Sequence, residues 1–248
     1  RLRDFMLQSD FRDQLGATGK VVLPAIHVLN ETLTKSNIEI LIESGAHGCF
    51  LINHDFKAAL MLPIIVQMRK LFPELWMGVN FLGIDAKCAF DMLGKLDKSA
   101  CHIDAYWADD AQIIEAYTEQ HAAAQISKVR ELSGWKGLYF GGTAFKYRRT
   151  VSPDDYSAVA RVAAEHMDVV TTSGPSTGEA ATPSKIAAFR SGLGQQALAI
   201  ASGITPDNAP LYKDADCFIV ATGINRPGNF YEIDPARLSR LVEVARVL

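Results

Sequence analysis

No apolar run in the sequence approaches the ~18 residues that would carry a helix across a bilayer, so nothing in it reads as a membrane span. There is almost no excess charge: 25 basic and 28 acidic side chains leave a formal net charge of −3. That balance excludes a protein that grips nucleic acid through a broad basic surface. Cysteine is scarce. Cys49, Cys88, Cys101 and Cys217 stand far apart, without the paired spacing of a metal site, and read as reduced, mostly buried thiols of a cytoplasmic protein. The opening Arg1-Leu-Arg-Asp-Phe5 lacks the apolar core of a secretory signal. Two phosphate motifs are also missing. Gly16-Ala-Thr-Gly-Lys20 has neither the spacing of a P-loop nor a Ser/Thr after its lysine. Leu29-Asn-Glu-Thr-Leu33, beyond the first apolar run, has no glycine-rich turn, which argues against an open dinucleotide-binding sheet.

What the chain does have is apolar content. Hydrophobic residues make up 48% of it, ordinary for a packed globular protein and too many for a disordered one. Short apolar runs alternate with helical patterns. Residues 2–15 read as an opening helix, with Leu2, Phe5 and Met6 at helical spacing. Residues 21–28, 48–53, 75–80, 100–106, 137–140, 168–172, 197–201 and 217–221 read as eight buried strands. Helices read over 36–44, 57–71, 86–96, 111–132, 152–166 and 183–190, with a short one opened by Thr205-Pro-Asp-Asn208 and a last one by Asp234-Pro-Ala-Arg237. Eight strand–helix units of this size match a (β/α)8 TIM barrel, here a single domain over residues 1–248 with a short N-terminal helix before strand one. The apolar stretch 58–66 exceeds what one helix face needs and offers a contact for a homo-oligomer.

In such a barrel the active site lies at the C-terminal mouth. By this reading the strand ends present His27, Asn53, Asp55, Asn80, His102 and Asp104, with Lys146 a few residues beyond strand five. An unpartnered buried polar group costs about 1–3 kcal/mol, so these ends point to a polar ligand. Asp104 and Asp55 lead as acid/base groups, because a carboxylate in an apolar mouth has its pKa raised. His27 and His102 are alternatives. A divalent metal on Asp55, Asp104 and a histidine is chemically feasible, but no ligand spacing demands it and no cofactor is required. Lys146, near Arg148 and Arg149, suits a phosphate contact, an electrostatic stabiliser or a desolvated amine nucleophile.

The sharpest local signal is glycine. Ser173-Gly-Pro-Ser-Thr-Gly178, Ser202-Gly-Ile-Thr-Pro-Asp-Asn208 and Ala221-Thr-Gly223 follow the last three strands. Glycines there let backbone approach a ligand, and the loops after strands seven and eight are the usual phosphate site of the architecture. Gly203, Ile204, Thr205 and Gly223 are therefore expected to cradle a phosphate, with Ser173, Gly174, Thr177, Gly178, Ser202 and Thr222 around the rest of the ligand.

Several of these segments together resemble the BtpA/SgcQ family. They are Gly78-Val-Asn-Phe-Leu-Gly-Ile-Asp85, Asp168-Val-Val-Thr-Thr-Ser-Gly-Pro-Ser-Thr-Gly178, Ala201-Ser-Gly-Ile-Thr-Pro-Asp-Asn208, Asp216-Cys-Phe-Ile-Val-Ala-Thr-Gly-Ile-Asn225 and Ile233-Asp-Pro-Ala-Arg237. The resemblance implies a barrel related to phosphate-binding ones. It also implies either an enzyme of a phosphorylated sugar or nucleotide-like metabolite (isomerase, lyase or phosphoribosyl transfer) or a non-catalytic biogenesis factor that keeps an anion site.

Overall fold

The structure, a computed structural model, describes residues 5–248. Eight parallel strands close in chain order: β1 (Val21–His27), β2 (Cys49–Ile52), β3 (Met77–Asn80), β4 (Ala105–Ala108), β5 (Leu138–Gly142), β6 (Val169–Ser173), β7 (Leu198–Ala201) and β8 (Cys217–Val220), with β8 pairing back to β1. Helix α1 (Gln8–Gln14) precedes the barrel. Helices α2 (Glu31–Glu43), α3 (Leu62–Leu71), α4 (Ala86–Lys98), α5 (His121–Ser133), α6 (Tyr156–Ala164) and α7 (Pro183–Leu193) follow the first six strands, and α8 (Pro235–Arg246) follows β8. Only a 3₁₀ turn, Ala209–Tyr212, links β7 to β8. The expected (β/α)8 barrel is what forms.

Several boundaries differ from the sequence reading, among them α2, which starts at Glu31 rather than Ser36. Phe5 and Met6 precede α1, and Leu2 lies outside the described residues. Helix α5 starts at His121, leaving 109–120 as loop. Strand β4 starts at Ala105, five residues later than expected. Cys101, Ile103 and Ala105 are buried at period two and imitate a strand, but the ladder with β3 begins only at Gly78↔Ala105.

Side chains alternate along each strand, so the core has two parts. One set, including Val22, Leu51, Val79, Tyr106, Tyr139 and Phe218, packs outward under the helices. The other set fills the barrel. Phe50, Trp107 and Phe140 interlock edge-to-face there, with ring centroids 5.1–5.7 Å apart. Gly78 on β3 makes room for Phe50, whose ring lies 2.4 Å from where a Cβ would stand. Phe11 of α1 plugs the lower rim, with its ring 5.8 Å from Phe140. The aromatics thus come from β2, β4 and β5, while Ala25, Ala201 and Ala221 line the opposite wall. That imbalance leaves a cavity at the C-terminal mouth. In the 58–66 stretch, Ala58, Met61 and Ile65 turn inward at helical spacing, and Leu60 is exposed.

The lower rim is clamped by a repeated device. Asp104, Asp168 and Asp216 each stand just before an even-numbered strand. Each accepts from a backbone N–H of the preceding strand (Met77, Tyr139 and Leu198, at 2.7–2.9 Å). Each also pairs with an arginine of the helix before that strand: Arg69, Arg130 and Arg190, at 2.6–2.8 Å. Before β2 the place of the aspartate is taken by His47, whose Nδ1 accepts from Val22 N–H at 3.0 Å.

Candidate active site

The mouth cavity has a volume of about 290 Å3. Inward parity decides what faces it. On β4, Ala105 and Trp107 point inside, so the next inward residue is Asp109, at the rim. Asn80 donates to its Oδ1 at 3.0 Å. Desolvation holds the Asp109 carboxyl above its ordinary pKa, against the pull of the Asn80 hydrogen bond and of the Lys146 and Arg148 charges. Lys146 faces the same cavity from the loop after β5, and burial pushes its amine below the usual lysine range. A carboxyl raised and an amine lowered across one cavity form an acid/base pair whose proton affinities approach each other.

The loop carrying Lys146 is held in place. Its N–H donates to Ser173 Oγ at 2.8 Å. Ala144 and Tyr147 have φ of 48° and 59°, a conformation side chains seldom adopt. The buried Lys185 donates to the carbonyls of Ala144 and Ser173, both at 2.7 Å, and burial lowers its pKa to about 8. The Tyr147 hydroxyl bonds the N–H and hydroxyl of Thr177 across the mouth.

The opposite wall is aromatic. His27 lies against Phe230 at 3.8 Å between centroids, and Phe230 against His54 at 4.8 Å. Burial, then the neighbouring His54 and Lys146, lowers the pKa of His27 to about 4, so its imidazole is neutral at physiological pH. His27 Nδ1 and Trp107 Nε1 are buried and have no hydrogen-bond partner.

Beside this cavity lies a second one, of about 420 Å3, whose lining includes Gly178, Gly203, Thr205, Thr222, Gly223, Arg237 and Arg240, with Asp207 paired to Arg240. The two share Gly178, Gly203 and Thr222. Among the described residues, the N–H groups of Gly203, Ile204 and Gly223 donate to no acceptor. The two glycines also have a packing role. A Cβ on Gly203 would meet Ala180 N at 2.0 Å, and one on Gly223 would meet Ile204 O at 2.0 Å. They let the loops lie on one another. The N-terminus of α8 is already capped, because Asp234 accepts from Ala236 and Arg237 N–H.

Of the expected residues, Lys146, His27, Thr177, Gly178, Ser202, Gly203 and Thr222 line the central cavity, and Thr205 and Gly223 the flanking one. Asn80 reaches the site through Asp109. Asp104 and His102 do not belong to it. They lie at the lower rim, where His102 Nε2 sits 3.4 Å from Asp104 Oδ1 and Asp104 serves the clamp to Arg69. Asp55 pairs with His54 at 3.1 Å and is absent from the cavity lining. Asp55 and Asp104 stand at opposite rims, so they share no metal ion. Asn53 is used up in tying the β2 loop to Leu82, and Ser173 in fixing Lys146. Gly174 is buried, with Glu179 O at 2.0 Å from its Cβ position. Sequence reasoning gave Asp109 no leading role and missed Trp107, Tyr147 and Phe230. The sequence reading put Asp109 in the loop after strand four; placing β4 at Tyr106-Trp107 would have given it the inward parity.

No protein-family model matches the chain, and no curated protein matches it. Solved structures do. The tryptophan synthase alpha subunit of Legionella pneumophila str. Paris superposes with a TM-score of 0.66 at 18% identity, over 98% of this chain and 100% of that one. Phosphoribosyl anthranilate isomerase from Thermus thermophilus superposes with a TM-score of 0.59 at 11% identity, over 90% and 97%. A native KDPGal structure gives 0.61 at 11% identity, over 91% and 94%. At these identities the likeness is one of fold.

Proposed function

We propose that the chain is an enzyme of a small phosphorylated metabolite, with the phosphate in the pocket after β7 and β8 and proton transfer by Asp109 and Lys146. The observation that carries this is the junction of the two cavities. Gly203 and Gly223, whose N–H groups meet no acceptor, line a pocket with Thr205, Arg237 and the Arg240–Asp207 ion pair, beside a space that holds a raised carboxyl and a lowered amine. Such a pair suits abstraction and return of a proton next to a carbonyl or at a sugar carbon, with Lys146 steadying the negative charge that develops. Isomerase and lyase chemistry use that step; in phosphoribosyl transfer the pair would instead take the proton of the incoming nucleophile. The structural neighbours named for phosphoribosyl anthranilate isomerase and tryptophan synthase alpha support an enzyme on this scaffold.

A second reading, a biogenesis factor of the BtpA kind, is supported by the chemically silent Gly142 and Ala144 ahead of Lys146; at Gly142 the carbonyl of Asp109 lies 2.0 Å from the Cβ position. Amide NMR separates site from no site. Inorganic phosphate at millimolar concentration should shift the Gly203 and Gly223 amides, and Lys146→Met should keep those shifts. Unmoved glycine amides would overturn the phosphate site. Turnover of sugar phosphates that Asp109→Asn abolishes would favour the enzyme.

A further inference from the structure

Three lysine amines, those of Lys20, Lys146 and Lys185, are withdrawn from water far enough for burial to hold them below the ordinary lysine pKa. Two of them are engaged. Lys20 Nζ donates to the carbonyl of Lys213, and Lys185 Nζ to those of Ala144 and Ser173. Lys146 Nζ is not. Among the described residues it has no hydrogen-bond acceptor and no ion pair, and it lies 5.8 Å from the centroid of the Phe145 ring. Its backbone is nonetheless pinned, by the hydrogen bond to Ser173 on one side and by the Tyr147–Thr177 contacts on the other. Asp109 and His27 line the same cavity, and both feel the charge of this amine. Asp109 acts on it electrostatically without pairing with it, so cavity space separates the carboxyl from the amine.

The geometry points to Lys146 as a nucleophile: its free amine condenses with the carbonyl of a small phosphorylated aldehyde or ketone to form an imine, and Asp109 moves the protons. This rests on the phosphate reading above and deepens it, because the stabilisation assigned there to Lys146 becomes covalent. The neutral amine adds to the carbonyl carbon, and the π pair moves to oxygen, which takes a proton from the Asp109 carboxylic acid. The nitrogen returns a proton to the Asp109 carboxylate. The C–O bond then breaks as the hydroxyl takes that proton and leaves as water. The products are one protonated imine, one water and the Asp109 carboxylate; nothing is oxidised or reduced. That carboxylate is now the base for the neighbouring C–H, whose electron pair moves toward the C=N bond. Burial favours both starting forms, the neutral amine and the protonated carboxyl. Thr222 lines both cavities, and with Thr177 and Ser202 it offers a polar path for a hydroxylated chain between amine and phosphate.

The test is reductive trapping on the unaltered protein, which needs no variant to fold. The probes are dihydroxyacetone phosphate and glycolaldehyde phosphate with cyanoborohydride, and glycerol 3-phosphate as the control without a carbonyl. Peptide mass mapping should place the reduced adduct on Lys146, and not on Lys20, Lys185 or the exposed lysines; the control should leave no adduct. Asp109→Asn should slow the trapping about 100-fold, the scale of a positioned proton carrier. Lys146→Arg separates covalent from electrostatic action: it keeps the positive charge, so inorganic phosphate should still shift the Gly203 and Gly223 amides, but the adduct should be lost. The proposal is overturned if neither carbonyl probe labels Lys146, if the adduct is spread over the exposed lysines, or if Asp109→Asn traps at the parent rate. Failure of the underlying phosphate reading has a different signature. Excess inorganic phosphate would then leave the labelling of Lys146 undiminished, and no probe would move the glycine amides at 203 and 223.

Discussion

Asp104 illustrates how one residue's role follows from which end of a strand it occupies. Its carboxylate accepts from Met77 N–H and pairs with Arg69 at 2.8 Å, so its work is structural. Asp104→Asn should cost about 1–3 kcal/mol in chemical denaturation, the price of a weakened charged hydrogen bond. It should leave the phosphate-induced shifts of Gly203 unchanged, and loss of those shifts without loss of stability would reverse this assignment. His27 makes a prediction about pH. Its folded pKa of about 4 lies below the unfolded value of 6.5, so the unfolded chain takes up a proton that the folded one refuses. Stability tied to His27 is therefore present above pH ~6.5 and is lost as pH falls toward 4. Urea midpoints between neutral pH and pH 4.5 should fall less for His27→Gln than for the parent, and equal slopes would refute the neutral, buried imidazole.

At the scale of elements, the loops after β6, β7 and β8 stack in series: Gly203 makes space for the backbone of Glu179 and Ala180, and Gly223 for that of Ile204. Gly223→Ala would drive a methyl group onto the Ile204 carbonyl, which cannot swing aside as a side chain can. Overpacking of this kind costs about 1–3 kcal/mol. The variant should fold, melt earlier and lose the phosphate response together; an unchanged response would show that the amides do not depend on this stacking. Elements were also where the sequence was most and least readable. Period-two burial and the order of apolar runs disclosed eight strands, because both faces of each strand are covered. The start of β4 was misread because Cys101 and Ile103 are buried for another reason: they pack in the outer core beneath the helices before the ladder begins. That slip of five residues moved Asp104 to the mouth and drew the acid/base role away from Asp109 in the loop beyond it.

For the whole molecule, architecture was legible and cavity shape was not. Which strands carry aromatics can be read from Phe50, Trp107 and Phe140. That they crowd one side, leaving the alanines to bound a cavity, requires the closed barrel. A ligand that binds only the folded chain raises its melting temperature by mass action. Inorganic phosphate or ribose 5-phosphate at ~100 times its Kd should add about 2.7 kcal/mol of stability. Sulfate and chloride at matched ionic strength separate site binding from general salt effects, and equal stabilisation by chloride would speak against a specific anion site.

The three arginine–aspartate clamps sit on the rim opposite the mouth cavity. At the cavity end the loops after β6, β7 and β8 lean on one another, so changes there are felt by neighbouring loops, whereas the clamped end holds each strand pair independently.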